Sequence, residues 1–295
     1  MPPPHRIVRT FHSTCMVNSY DRTVAALGHV AGLRVLEYSE AAAIGRRGGM
    51  SWVGDGSIEV AEPIVPGHAA ARFLERFGPG MHSCAFQVEN LDATIEHLAR
   101  GGVEVGVRPE AGFCFTDPRR TGGLLFEWSD FTIPEDPRDG APEPPPPEKR
   151  VLDVLTHAFI GALVPEPSGW ADDFGELFGL VETFRDPRAA LDQPVVGLAA
   201  PDCMLALFRL TPETSAQYWG TAHTRARCHV LGLGVPSLES AGRSLEDAGV
   251  AVWRRSDKAI FIDPAETGEV PLMLIEELLT GDPRRLRSES TTDTP

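Results

Sequence analysis

The feature that most constrains this chain is an internal repeat. Residues 80–127, which begin GMHSCAFQVENLD, match residues 227–277, which begin RCHVLGLGVPSLE, and each copy reads as a strand, a helix and two strands. The match extends upstream, because Glu59 and Ala206 each lie 23 residues before their histidine, His82 or His229. A unit of roughly 120 residues is too long for a solenoid repeat and has the size of a domain.

The repeat and the local composition divide the chain into four parts. The first module covers residues 6–131, and the second, partly degenerate module covers residues 151–280. Between them, residues 132–150 are rich in proline and without apolar periodicity, which predicts an extended linker. The polar residues 281–295 are predicted to form a disordered tail.

The composition limits which partners and which cellular location we expect for this protein. The net charge of -15 opposes binding to a phosphate backbone, so we expect a small-molecule substrate and no nucleic acid. No apolar run has the 18 or so residues of a membrane span, and no signal peptide is visible, so no membrane partner is expected. The five cysteines form no Cys-x-x-Cys pair, which predicts reduced thiols in a cytoplasmic protein. A homodimer is left open.

Four strands of the first module carry side chains that bind metals. In a strand alternate side chains share a face, so each candidate can be placed relative to its neighbours. Phe11 and Phe126 then point to a helix-covered core, and Cys84 shares the face of the second histidine. The candidates that we expect together on the concave face of one curved sheet are His12, Glu59, His82 and Glu127.

Two imidazoles and two carboxylates suit a divalent ion such as Mn, Fe, Co, Ni or Zn. An octahedral ion held by four side chains keeps two open positions. Those positions could bind two oxygens of a substrate and stabilise an enolate, which is Lewis-acid catalysis of proton transfer beside a carbonyl.

The first module resembles a known family. The segments SIEVAEPI, FLERFGPGMHSCAFQVENLD and GGLLFEW look like methylmalonyl-CoA epimerase, a member of the vicinal oxygen chelate superfamily of glyoxalases, bleomycin resistance proteins and extradiol dioxygenases. This resemblance implies an α+β fold of two tandem βαβββ modules, with curved mixed sheets and helices on the outer face. It also implies that His12, Glu59, His82 and Glu127 are the metal ligands. The epimerases use a further glutamate as base, and Glu40 is the nearest acid to that position.

The second module offers a different set, His157, His229 and Glu276, with Ala206 where the first module has Glu59. Two histidines and one carboxylate form the facial triad of non-haem iron oxygenases. An insertion at 270–271 opens the alternative that Met273, rather than Glu276, stands at the ligand position.

Three functional hypotheses follow. The first is a metal-dependent isomerase, epimerase or lyase that acts on a carbonyl-bearing substrate. A CoA thioester is one candidate for that substrate, and Arg46 and Arg47 could bind its anionic group. The second is an Fe(II) extradiol ring-cleaving dioxygenase that uses the second module. The third is a small-molecule-binding protein without catalysis, since the superfamily contains drug-binding resistance proteins.

Overall fold

The structure is a computed structural model. It describes residues 5–38, 45–108, 112–190, 193–212 and 225–285. Both modules are mixed α+β units, and no helix within these ranges is long and apolar enough to cross a membrane. The five cysteines are all buried and unpaired with one another, as the sequence predicts.

The first module forms one eight-stranded sheet with three helices. Its elements are β1 (Ile7–Met16), α1 (Tyr20–Ala31), β2 (Leu36–Tyr38), β3 (Arg46–Val53), β4 (Gly56–Pro63), α2 (Ala69–Phe77), β5 (Gly80–Val88), α3 (Leu91–Arg100), β6 (Val105–Arg108), β7 (Phe113–Thr116) and β8 (Phe126–Ser129). The strand order is β2-β3-β4-β1-β5-β8-β7-β6.

The second module repeats this sheet. Its elements are β9 (Thr156–Val164), α4 (Pro167–Phe178), β10 (Val181–Ala190), β11 (Gln193–Ala199), β12 (Met204–Arg209), β13 (Arg227–Gly234), α5 (Leu238–Asp247), β14 (Val252–Arg255), β15 (Ile260–Ile262) and β16 (Leu272–Ile275). The order β10-β11-β12-β9-β13-β16-β15-β14 is the same as in the first sheet. The predicted α+β fold of tandem modules is confirmed, and each module contains the βαβββ pattern twice.

Local signals explain where the helices of the first module begin and end. Ser19 accepts a hydrogen bond from the backbone of Arg22 and so caps α1, and Asn90 caps α3 in the same way. Helix α1 ends at Gly32, whose φ of 67° is a left-handed conformation that glycine adopts at no steric cost.

One apolar core joins the two modules. A single cluster of buried side chains contains residues from both sheets. Phe178 of α4, in the second module, packs against Phe126 and Trp128 of β8, in the first, with ring centroids 5.0 Å apart in both pairs. The two modules therefore share a core, and neither sheet buries its apolar face without the other.

The pairing of β1 with β5 contains three irregularities, and the second lies immediately before His12. The pairing steps from Thr10 opposite Phe86 to His12 opposite Ala85, so Phe11 is an extra residue. A bulge of this kind reverses the alternation of faces. Thr10 therefore does not share the face of His12, and Phe11, predicted to point to the core, lies with its ring 5.0 Å from the imidazole of His12.

The third irregularity lies at His82. The pairing steps from Thr14 opposite Ser83 to Cys15 opposite Met81, so His82 is the extra residue here. Cys84 belongs to the main apolar core, and it does not share the face of His82 as simple alternation predicts. The bulge lets consecutive side chains, His82 and Ser83, both lie on the concave side.

An Asp-Pro-Arg sequence follows the first module, within the segment predicted to be a linker. Asp136 is fully buried and pairs with Arg138 at 2.7 Å. The guanidinium of Arg138 donates hydrogen bonds to the carbonyl oxygens of Thr10, at 3.0 Å, and Phe11, at 2.9 Å. We call this pair the first clamp, because it holds the backbone of the bulge before His12.

A second clamp follows the second module. Asp282 is fully buried and pairs with Arg284 at 2.6 Å. Arg284 donates to the carbonyl oxygens of His157, at 2.8 Å, and Ala158, at 2.6 Å. Of the segment predicted to be a disordered tail, residues 281–285 thus carry a buried contact, and residues 286–295 lie outside the described ranges.

We expect Arg284→Ala to destabilise the protein by about 3–5 kcal/mol, because it leaves the carboxylate of Asp282 buried without its partner. Arg285→Ala is the matched control, since Arg285 forms an exposed pair with Glu277 whose loss costs about 1 kcal/mol or less. Urea unfolding of the two variants measures both. Equal effects would contradict a structural role for the second clamp.

Candidate functional site

His12 lies between two carboxylates at the centre of the first sheet. Its Nε2 atom is 3.5 Å from an oxygen of Glu59 and 3.7 Å from an oxygen of Glu127. All three side chains are buried, with 4%, 2% and 2% of their surface exposed. We call the face that carries these groups the first cup.

Strand register explains why the three groups meet. Glu59 on β4 is paired with Thr14 on the parallel strand β1, two residues after His12. Ala85 on β5 is paired with His12 on one side and with Glu127 of β8 on the other. Residues directly opposite one another share a face, so the imidazole and both acids project into the same cup.

Glu59 is held by donors from three strands. Thr14 donates to Oε2 at 2.7 Å, the phenol of Tyr38 donates to Oε1, and Arg46 lies 2.9 Å from Oε1. Burial alone would raise the pKa of Glu59, but Arg46, His12 and the hydrogen bonds outweigh it and lower the pKa to about 2. Glu59 is therefore ionised at neutral pH.

His82 lies on the same side of the sheet as Phe115, which is paired with Glu127. Its Nδ1 atom is 2.9 Å from the hydroxyl of Ser83, and the ring of Phe73 packs edge-on at 4.5 Å. Burial, and then the positive charge of Arg46, lowers the pKa of His82 to about 3. The imidazole is therefore neutral at physiological pH, the form that binds metals.

The chemistry of the first cup fits a divalent ion. Both ring nitrogens of His12 and the Oε2 atom of Glu127 are buried without a hydrogen-bond partner among the described residues. Buried polar atoms without partners are rare, and of these atoms one nitrogen of the neutral imidazole and the carboxylate oxygen carry lone pairs that a metal ion accepts. The residues that would hold the ion are the predicted ones: His12, Glu59, His82 and Glu127.

The side chains are not yet gathered around one point. Among the described residues, no three His, Cys, Asp or Glu side chains already stand in an arrangement that could close on an ion. The Oε1 atom of Glu59 is held by Arg46 and Tyr38 while its Oε2 atom faces His12, and His82 is turned towards Ser83.

Two residues of the cup, Arg46 and Tyr38, were not assigned to it from the sequence. Arg46, named from the sequence together with Arg47 as an anion-binding candidate, begins β3 and is 8% exposed. Arg47, its neighbour, points the other way and pairs with Glu37 and Asp21. Alternation along a strand could have separated the two arginines. Glu40, the candidate base, lies outside the described residues.

In the second module, β9 is shifted by two residues from the alignment predicted by the sequence. Gly161 is paired with Ala206, as Thr14 is paired with Glu59. Counting back two residues from Gly161 leads to Phe159. This phenylalanine therefore occupies the position of the first histidine.

We call the equivalent face of the second sheet the second cup, and three of its four positions that correspond to the ligands are apolar. Met273 is paired with Gly232 as Glu127 is with Ala85, which bears out the alternative that Met273 stands at the ligand position. The four equivalents of the ligand set are Phe159, Ala206, His229 and Met273. Three of them belong to one apolar cluster that fills this face, and only His229 keeps the residue type of its counterpart.

His157 does not join His229. It occupies the position of Thr10, is fully buried, and neither ring nitrogen has a hydrogen-bond partner among the described residues. The β3–β4 turn of the first module covers it so closely that a Cβ added to Gly56 would lie 2.4 Å from the Cβ of His157. His157 is therefore a core residue at the contact between modules.

Glu276 has a structural role as well. Its carboxylate accepts a hydrogen bond from the backbone of Leu238 at 3.0 Å, which caps the start of α5. Asp130 accepts the same bond from Leu91 at the start of α3. The predicted triad of His157, His229 and Glu276 is therefore wrong for the described structure, because two of its members serve elsewhere.

Comparison with known proteins finds a family match for the first module. Residues 9–120 match the model of the Glyoxalase/Bleomycin resistance protein/Dioxygenase superfamily, so the resemblance inferred from the sequence is confirmed at the level of the superfamily. A comparison with curated proteins finds no significant match.

One solved structure has a similar fold over most of the chain, and others match less than half of it. A variant of 4-hydroxymandelate synthase from Streptomyces coelicolor is 15% identical, with a TM-score of 0.71 over 95% of this chain and 96% of that chain. Methylmalonyl-CoA epimerase from Mycobacterium tuberculosis is 22% identical, with a TM-score of 0.41 over 45% of this chain and 94% of that chain. A variant of the Streptomyces coelicolor epimerase is 23% identical, with a TM-score of 0.40 over 43% and 100%.

The burial of His157 predicts an acid-sensitive contact between modules. Burial, and then the charges of Arg284 and Arg138, lowers its pKa from 6.5 to about 3, so below pH 6.5 the unfolded chain binds a proton that the folded chain does not. This residue should cost about 1.4 kcal/mol of stability per pH unit as the pH falls from 6.5 towards 3.

His157→Leu should make the unfolding free energy, measured in urea between pH 6.5 and 5, fall less steeply than in the wild type, by about one proton in slope. Parallel curves for the two proteins would contradict the buried neutral imidazole.

Proposed function

Because residues 9–120 form a module of the glyoxalase, bleomycin resistance protein and dioxygenase superfamily, we propose that this chain is a divalent-metal-dependent isomerase, epimerase or lyase whose active site is the first cup. The observation that carries the proposal is the position of His12. Its unpartnered imidazole lies between the carboxylates of Glu59 and Glu127, at the centre of a sheet.

The residues of the first cup would have two roles, and the first role is to bind the ion. His12, Glu59, His82 and Glu127 would hold the ion, and their two negative charges would balance it. A bound divalent ion would polarise a substrate carbonyl and stabilise the negative charge that develops when a neighbouring carbon loses a proton.

Two other groups of the cup remain as hydrogen-bond donors. Burial, and then the charge of Glu59, raises the pKa of Tyr38, which therefore keeps its proton and acts as a donor. Arg46 supplies a fixed positive charge in a site that excludes water, where electrostatic interactions are strong.

The second module supports this site without repeating it. Phe159, Ala206 and Met273 fill the face where a second ion would lie. The ring-cleaving reaction considered for this module required His157, His229 and Glu276 in one site, and among the described residues they do not meet. We therefore assign one active site per chain.

Metal content is expected to follow the first module alone. The protein as purified should contain about one equivalent of a transition metal, His82→Ala should lose it, and His229→Ala, the matched change in the second module, should retain it. Elemental analysis of the three proteins is the measurement. Loss of the metal in His229→Ala would overturn the proposal. A wild type that contains no metal but binds organic ligands tightly would also overturn it, and would favour a binding protein.

Catalysis can be sought through proton exchange before the substrate is known. Candidate CoA thioesters and 2-oxo acids, incubated with the protein in D₂O, should exchange the hydrogen next to their carbonyl group. The exchange should cease when a chelator removes the metal and return when the metal is restored.

A further inference from the structure

Arg227 is a buried arginine of the second module whose side chain reaches into the first. It begins β13 and is 7% exposed. Its guanidinium donates hydrogen bonds to the carbonyl oxygens of Phe77, at 2.9 Å, and Met81, at 3.1 Å. Its Nε atom donates to the carbonyl oxygen of Cys228 at 3.3 Å. Among the described residues, its hydrogen-bond partners are thus backbone carbonyl groups alone.

The charge of Arg227 is not compensated by a carboxylate. Among the described residues no ion pair includes Arg227, whereas Arg284, the other buried arginine of this module that binds strand carbonyls, is paired with Asp282. Burial lowers the pKa of Arg227, while at Arg284 the same burial is outweighed by Asp282 and the pKa is raised. A buried charge without a counter-ion costs several kcal/mol, and an apolar side chain would fill the space without that cost. We therefore looked for what the donors of Arg227 hold in place.

The carbonyl groups that Arg227 binds belong to the two elements that contact His82. Met81 lies on β5 directly before His82, the extra residue of the bulge. Phe77 is the last residue of α2, and Phe73 of the same helix packs edge-on against the imidazole of His82 at 4.5 Å. The guanidinium carbon also lies 5.9 Å from the centroid of the Phe73 ring. One side chain thus ties the strand that carries the imidazole to the helix that covers it.

The internal repeat shows that this contact runs in one direction. His229 is the extra residue in the pairing of β13 with β9, as His82 is in the first sheet, so Arg227 stands at the position of Gly80. Gly80 has no side chain that could reach back to the second module. It instead leaves room for Arg227, because a Cβ added to Gly80 would lie 3.4 Å from the Nη2 atom of the arginine.

We propose that Arg227 is a positioning residue for His82, because it fixes both the bulge that carries the imidazole and the end of the helix that packs against it. That this orientation serves an ion rests on the proposed function, whereas the contacts with Met81 and Phe77 do not. Groups that orient a metal-binding histidine without touching the ion change metal affinity about 10–100-fold. An arginine that only stabilises the contact between modules would affect unfolding and leave His82 unchanged.

The first test observes the imidazole in protein without metal. In full-length protein with ¹³C-labelled histidine rings, the NMR signal of His82 is assigned by its absence from His82→Ala. Phe73 and Phe115 lie edge-on to this ring, at 4.5 and 5.8 Å, and shift its proton signal from the value in free imidazole. Arg227→Met should move the signal towards the free value. Arg227→Lys should move it less, because lysine keeps the charge but lacks the fork that bridges two carbonyl groups.

Arg284→Met is the matched control. Arg284 also donates to two backbone carbonyl oxygens, those of His157 and Ala158, but it contacts no residue of the first cup. This variant should unfold at lower urea concentration and leave the His82 signal where it is in the wild type. The pair of variants thus separates lost stability from lost orientation.

The second test is titration with Co²⁺, followed by its visible absorption. Arg227→Met should bind Co²⁺ at least about tenfold more weakly than the wild type, with Arg227→Lys between them. Arg284→Met should bind it as the wild type does. Urea unfolding of each variant shows that the titrated protein is folded.

The outcomes distinguish the positioning role from the proposed function. A wild type that binds no Co²⁺, but whose His82 signal moves in Arg227→Met and not in Arg284→Met, would leave the positioning role standing and remove the metal-dependent function. A His82 signal that is unchanged in Arg227→Met, or that moves equally in Arg284→Met, would overturn the positioning role. Co²⁺ affinity that is lost in His82→Ala and unchanged in Arg227→Met would also overturn it.

Discussion

A buried carboxylate that stays ionised is the constraint on which the first module depends. Removing a charge from water costs several kcal/mol, which is recovered only if opposite charges and hydrogen bonds surround it. For Glu59 those partners are Thr14, Tyr38 and Arg46, from three different strands. The need to satisfy this one group fixes the relative positions of β1, β2, β3 and β4, and it places His12 next to the carboxylate.

The two cups have the same fold, but only the first contains a buried carboxylate that must stay ionised. Strand order and pairing are the same in both sheets. The second cup holds Phe159, Ala206 and Met273 where the first holds an imidazole and two acids, and these side chains pack into a separate apolar cluster. Apolar packing needs no partners of fixed charge, so this cup is stable without an ion, and it no longer has the groups to bind one.

The sequence predicts the repeat, the α+β modules and the four groups of the first cup, because these follow from spacing and residue type. It does not predict which histidine of the second module faces its cup. Bulges at Phe11 and His82 change the parity of the strands, and alternation cannot locate an extra residue. His157 was aligned with His12 by residue type, although the strand pairing places it at the position of Thr10. Arg46 and Arg47 were named together from the sequence, and it is the pairing of β3 that separates them, with Gly48 making room for Tyr38.

The second module, although its own cup is apolar, contacts the backbone that precedes each histidine of the first cup. Asp202, from the second module, accepts a hydrogen bond at 2.7 Å from the backbone N–H of Thr10, while Arg138 of the first clamp binds the carbonyl of the same residue at 3.0 Å. Arg227 reaches from β13 to the carbonyl of Met81, directly before His82, at 3.1 Å. Bulged strands lack some of their ladder hydrogen bonds, so side chains from outside the sheet supply what the ladder cannot. A degenerate copy can be retained on this ground alone, because the geometry of both histidines depends on charged groups that the first module does not contain.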